Sequence, residues 1–186
     1  MRESAVTTYV NKRAIMLPTH TPTPTFEPQN VVEIPDHNTP IGEGVFGVVR
    51  LRKILTLDTV VAAKFSRDKE DAIDNEIRVM EALKGYSGVP YFYGIVSPKT
   101  MLLEYIGDRD GPYSPGITMD QQLKANTLNR TQWLYAAQKL IATLTYIHGM
   151  MYLHNDLHTC NIVFRPKWDP PAQLLLISAK GQGQTV

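Results

Sequence analysis

Ile41-Gly42-Glu43-Gly44-Val45-Phe46-Gly47-Val48-Val49 decides how this chain is read. Its G-x-G-x-x-G-x-V spacing fits two structures. In a dinucleotide-binding turn, a strand precedes the glycines and a helix opens at the last of them. Here Pro40 stands before the motif, and the β-branched run Val48-Val49-Arg50-Leu51 follows it. The segment therefore reads as a hairpin whose second arm continues as a strand. Glycines in such a hairpin let the backbone lie close over a phosphate, because no Cβ blocks the approach and positive φ is tolerated.

Downstream, Asp58 to Phe65 alternates with period two, so Val60, Ala62 and Lys64 share one face and Val61, Ala63 and Phe65 the other. Lys64 ends an apolar row. At a strand end a lysine either snorkels to solvent or meets a buried anion. The following segment, Lys69 to Leu83, is helical in pattern, with Ile73, Ile77, Met80 and Leu83 as its buried stripe and Glu76 inside that stripe. A carboxylate buried unpaired there would cost several kcal/mol, and Lys64 is the nearest cation in the preceding strand. Pairing with Arg78 or Lys84 at the helix edge is the other reading.

Between Thr131 and Gly149 the residues Trp133, Ala137, Leu140, Leu144 and Ile147 recur at helical spacing, widened by Leu134, Ile141 and Tyr146. Asn129 or Thr131 can cap this helix and Gly149 can end it. After it comes His154-Asn155-Asp156-Leu157-His158-Thr159-Cys160-Asn161. Asp156 and Asn161 have the spacing of a phosphotransfer loop, in which a carboxylate orients and deprotonates a hydroxyl and an amide oxygen ligates Mg²⁺ on the nucleotide. Taken alone, the same two residues read first as a loop whose side chains bond their own backbone.

Together these segments resemble the protein kinase family over about residues 37 to 178. The resemblance implies an α+β fold: an antiparallel β-sheet amino-terminal lobe with one helix, then an incomplete, mainly α-helical carboxy-terminal lobe. Residues 1–36 would be a flexible Pro/Thr-rich leader, 37–107 the amino-terminal lobe and hinge, and 108–186 the partial carboxy-terminal lobe with the catalytic loop. ATP and Mg²⁺ would be the cofactors. Ile41 would join the nucleotide-binding set, with Gly42, Gly44 and Gly47 over the phosphates. Val49 and Ala62 would form the adenine roof and Val163 its floor. Lys64 would hold phosphates and pair with Glu76. Leu103 would be the gatekeeper, with the Glu104 carbonyl and the Ile106 amide bonding adenine. Asp156 would be the catalytic base and Asn161 a metal ligand.

The implied activity is transfer of the ATP γ-phosphoryl group to a hydroxyl, on protein Ser or Thr. A catalytically silent, truncated module that binds nucleotide or a partner is the second reading. The third is a small-molecule kinase, because His-x-Asp-Leu-His is similar to the loop of that group as well. The pattern departs from the family where Gln173-Leu174-Leu175-Leu176-Ile177 runs into Ser178-Ala179-Lys180 in place of the metal-binding Asp-Phe-Gly. A neutral hydroxyl is a poor Mg²⁺ ligand. The sequence stops at Val186, before the family's activation segment, so apolar surface on the long helix is expected to lie bare or to need a protein partner's cover. Asn155 stands where many members of the family carry an arginine, so the resemblance does not imply control through a phosphorylated activation loop. His148 and His154 read as structural.

Composition agrees with a globular domain: 186 residues, 43% hydrophobic, 20% charged, net charge +1. That charge gives no reason to expect nucleic acid or a membrane as partner. No apolar run is long enough to span a bilayer and no signal-peptide core opens the chain, so a cytoplasmic or nuclear location is expected. The single cysteine, Cys160, makes an internal disulfide impossible and reads as a bland loop residue. Thr21, Thr23 and Thr39 each precede a proline and suit either proline-directed phosphorylation or a plain solvated linker. Asp108 to Gly116 reads as a surface loop.

Overall fold

The computed structural model describes residues 22–44, 47–67, 70–108, 113–165 and 174–176. Val45, Phe46, Lys69, Pro112, Thr21 and the Ile177-Ser178-Ala179-Lys180 segment lie outside them, as do the first residues of the leader. Six strands build one antiparallel sheet: β1 (Val31–Glu33), β2 (Gly42–Gly44), β3 (Gly47–Ile54), β4 (Thr59–Ser66), β5 (Phe92–Ser97) and β6 (Thr100–Glu104). Their order is β1-β3-β4-β6-β5, with β2 folded back on β3. The glycine segment is thus a hairpin, paired from Gly42↔Val49 to Gly44↔Gly47.

Alternation along β4 sorts the side chains as its period requires. Ala62 packs with Met101 and Leu103 of β6 and with Ile73, Ile77 and Met80 of helix α1 (Glu70–Ala82). Val61 and Ala63 point the other way, joining Ile54 and Leu102. Val79, on the side of α1 away from this cluster, is also buried, and with Leu83 and Val89 it packs against Ala136, Ile147, Ile162 and Phe164. Elements before and after residue 107 thus share this cluster.

From residue 22 onward the segment read as a leader makes contacts with the sheet. Thr25 bridges to Ile95, the Phe26 amide donates to the Ile95 carbonyl at 2.8 Å, and the Ile95 amide donates to the Pro24 carbonyl at 2.9 Å. Phe26 and Val31 cover the Val61–Ala63 face, β1 pairs with β3, and Ile34 is buried with Leu51 and Tyr105. Pro24 lies in extended chain along the sheet edge, where a missing amide donor is harmless, whereas Pro28 opens a short 3-10 turn.

Beyond the sheet lie α2 (Met119–Ala125), α3 (Arg130–Gly149), and the short antiparallel pair β7 (Ile162–Phe164) and β8 (Leu174–Leu176). Thr118 and Asn129 each start a helix with a reciprocal capping box, the latter with Gln132, so the cap falls on Asn129 rather than Thr131. The buried line of α3 runs through Ala136, Thr143 and Ile147, and Ala137 of the expected stripe is exposed. A helix apolar all round carries little sequence signal for the side that turns inward. Leu134 and Ile141 are 63% and 65% exposed, so the apolar outer face expected of α3 is present. Among the described residues no helix is long and apolar enough to cross a membrane.

Candidate functional site

One cross-strand row, Gly42↔Val49↔Lys64↔Met101, places three of the sequence-derived positions, Gly42, Val49 and Lys64, side by side across β2, β3 and β4, with Met101 of β6 beyond them. Residues opposite one another share a face, so Lys64 stands beside Val49, and Ala62 two positions along faces Leu103. Ile41 and Val49 pack against the cluster of Ala62, Ile73, Ile77 and Met80. The Lys64 ammonium reaches both carboxylate oxygens of Glu76, at 2.5 and 2.6 Å. Both side chains are largely shielded from water, so the charge-assisted contact is strong and each ion depends on the other. The helix-edge reading is set aside, since Lys84 lies over the Tyr91 ring at 5.6 Å.

The glycines of the hairpin differ in what demands them. A Cβ on Gly47 would stand 2.3 Å from the Phe65 carbonyl oxygen, so the fold itself requires glycine there. Gly44 has open space around the same position and no positive φ. Its lack of a side chain serves nothing in the packing. It leaves the hairpin backbone bare to whatever approaches from outside.

After β6 the chain passes through Tyr105, Ile106 and Gly107. Ile106 packs on Val163 of β7, and its carbonyl accepts from the Gly116 amide at 2.7 Å. Gly107 bridges Pro115 and the Asp108 amide donates to the Ser114 carbonyl at 2.9 Å. The expected surface loop is therefore a closed return at both ends. The Ile106 amide makes no hydrogen bond among the described residues. Glu104 carries a contact that its sequence context did not signal: its carboxylate takes both terminal nitrogens of Arg165, Nη2 at 2.8 Å. This bidentate pair ties the end of β6 to the end of β7. The partners lie 61 residues apart and no periodicity links them.

Between α3 and β7 the loop turns through Met151 and Asn155, both in left-handed backbone, a conformation that asparagine tolerates better than most residues. The Asn161 amide nitrogen donates to the Asp156 carbonyl at 2.9 Å and to its carboxylate at 3.0 Å. The structure thus brings Asp156 and Asn161 together, with His158 Nε2 3.8 Å from the same carboxylate. The Asn161 amide oxygen makes no hydrogen bond among the described residues, so the donor set of one carboxylate and one amide oxygen suits a hard cation such as Mg²⁺. His154 is buried, and burial holds its imidazole below the ordinary range despite the opposing pull of Asp156. Cys160 is free and exposed.

No protein-family model matches the chain. The serine/threonine-protein kinase Nek8 of Danio rerio is 25% identical to it over 132 residues. The match covers 66% of this chain and 18% of that protein, so the chain spans less than a fifth of its relative's length. The likeness is kinase-like, and an α+β fold with an antiparallel sheet is compatible with the amino-terminal lobe of a kinase.

Proposed function

We propose that this chain is an ATP-binding, protein kinase-like domain that transfers the γ-phosphoryl group to a hydroxyl, on protein Ser or Thr. The observation that carries the reading is the shielded Lys64–Glu76 pair in the same cross-strand row as Gly42 and Val49. A cation fixed by a buried anion beside a bare glycine backbone is built to receive phosphate, and phosphoryl transfer depends mostly on such positioning. Lys64 would hold the α and β phosphates. Gly42, Gly44 and Gly47 would close over them, Ile41 would join the nucleotide-binding set, and Val49, Ala62 and Val163 would sandwich the adenine. The Glu104 carbonyl and Ile106 amide would bond the base edge, and the Glu104–Arg165 pair would steady that segment.

Asp156 would accept the hydroxyl proton, with the Asn161 amide fixing its carboxylate. Mg²⁺, held by the Asn161 oxygen together with phosphate oxygens, would supply charge neutralisation on the phosphates. The direct test incubates the full chain with γ-labelled MgATP and a generic Ser/Thr protein acceptor. Label on the acceptor, abolished by Asp156→Asn with ATP binding retained, supports the reading. Label unaffected by Asp156→Asn contradicts it.

A second reading, a partner-binding module without transfer, is favoured by the exposed Leu134 and Ile141 on α3. It predicts nucleotide binding without label on any acceptor.

A further inference from the structure

We propose that Thr23 is a phosphorylation site, and that its modification releases the residue 22–26 strap from α1 and from the edge of the sheet. This stands apart from the nucleotide site and does not rest on it. The Thr23 hydroxyl donates to the Glu81 carboxylate on α1, a contact across 58 residues. Around it the strap's backbone is lightly held, by the Thr25↔Ile95 bridge, whose two hydrogen bonds run from the Ile95 amide to Pro24 and from the Phe26 amide to Ile95. The contact is close, for a Cβ on Gly94 would stand 2.1 Å from the Pro24 carbonyl oxygen, and Gly94 itself has φ +147. Phe26 is the strap's apolar anchor, packed against the cluster of Ile54, Val61, Ala63 and Leu102.

Thr23 is followed by Pro24, the dipeptide that a proline-directed Ser/Thr kinase accepts, and the residue is only half-buried. A segment secured by so few bonds opens locally far more often than the eight-pair ladder of β3 and β4. In the open form the Thr23 oxygen attacks the γ-phosphorus of ATP on that kinase. The bond to the β-phosphate oxygen breaks, ADP leaves, and the hydroxyl proton passes to the kinase's own base. The product has lost the donor that Glu81 used. It would place a group of about two negative charges against a carboxylate, so the strap cannot reseat. Thr39, which precedes Pro40, supplies an internal contrast: it is exposed and bonds no acidic side chain among the described residues.

The test treats the full chain, carrying Thr21→Val and Thr39→Val, with a proline-directed Ser/Thr kinase and ATP. Phosphate is located by site-resolved mass spectrometry, and amide hydrogen exchange is followed at Phe26 and Ile95. The expected result is phosphate on Thr23 with exchange at both amides faster by about tenfold or more, and the β3–β4 ladder unchanged. Adding Glu81→Gln should shrink that acceleration, because the repulsion is gone. Absence of phosphate on Thr23, phosphate with unchanged exchange, or an acceleration indifferent to Glu81→Gln would each overturn the proposal.

Discussion

The sheet half and the helical half of this molecule bury their apolar residues to very different degrees. On β3, β4 and β6, Leu51, Ile54, Val61, Ala63 and Leu102 are at most 1% exposed, and the 22–34 segment lies over one edge and one face. On α3, Leu134 and Ile141 stand mostly in solvent, although the sequence reads that helix as apolar on most sides. Alternation with period two gives a strand two faces, and here each has a partner: α1 on one side, Phe26 and Val31 on the other. An all-round apolar helix needs cover on every side, and among the described residues α3 has it on one. The Lys64–Glu76 pair sits in the well-packed half, whereas Asp156 and Asn161 sit in a half-exposed loop held by the Asn161 side-chain amide and by a backbone bond from Asn161 to His158.

That contrast sets an order of expected effects. Leu102→Ala should cost about 4 kcal/mol, the range for emptying a filled core position, read as a shift in the urea midpoint. Glu76→Ala should cost about 3 kcal/mol, because it strands the Lys64 ammonium in a site largely closed to water. Glu76→Leu combined with Lys64→Met should recover much of that loss in the same assay, and a double variant no better than the single would break the account of the pair.

A smaller effect concerns His154. Its folded-state pKa lies below the unfolded value, so the unfolded chain binds the proton more readily. Its contribution to stability is whole above the ordinary imidazole value of 6.5 and is lost as pH falls through 6.5 toward the depressed folded value. His154→Leu should flatten that part of the profile between about pH 8 and about pH 5. The smallest effect is expected on the outer face of α3. Ile141→Ser should change stability by no more than about 0.5 kcal/mol, and a loss comparable to that of Leu102→Ala would show that this face is covered after all.

Much of this was legible in the sequence, and for physical reasons. Pro40 before the glycines and β-branched residues after them left room for a hairpin alone. Glu76 within an apolar stripe required a cation, and strand alternation put Lys64 on the facing side. Asp156 and Asn161 were close in sequence, so their hydrogen bond needed only a local turn. What escaped were contacts whose partners share no pattern. Glu104 with Arg165, Thr23 with Glu81, and Phe26 with the sheet are each fixed by how distant segments cross, and prolines around residues 18–35 signal extended chain without saying whether that chain is docked. On α3 the expected inward residues Trp133, Leu140, Leu144 and Ile147 do pack into the core, and Ala137 alone of that stripe turns outward, its place taken by Ala136.

The most direct test of the central claim is a calorimetric titration of the full chain with MgATP, repeated on Lys64→Met after confirming that the variant still unfolds cooperatively. The account predicts saturable binding, weakened by about tenfold or more when the phosphate-facing charge is removed. ATP binding that is absent, or that is indifferent to Lys64→Met, would contradict it.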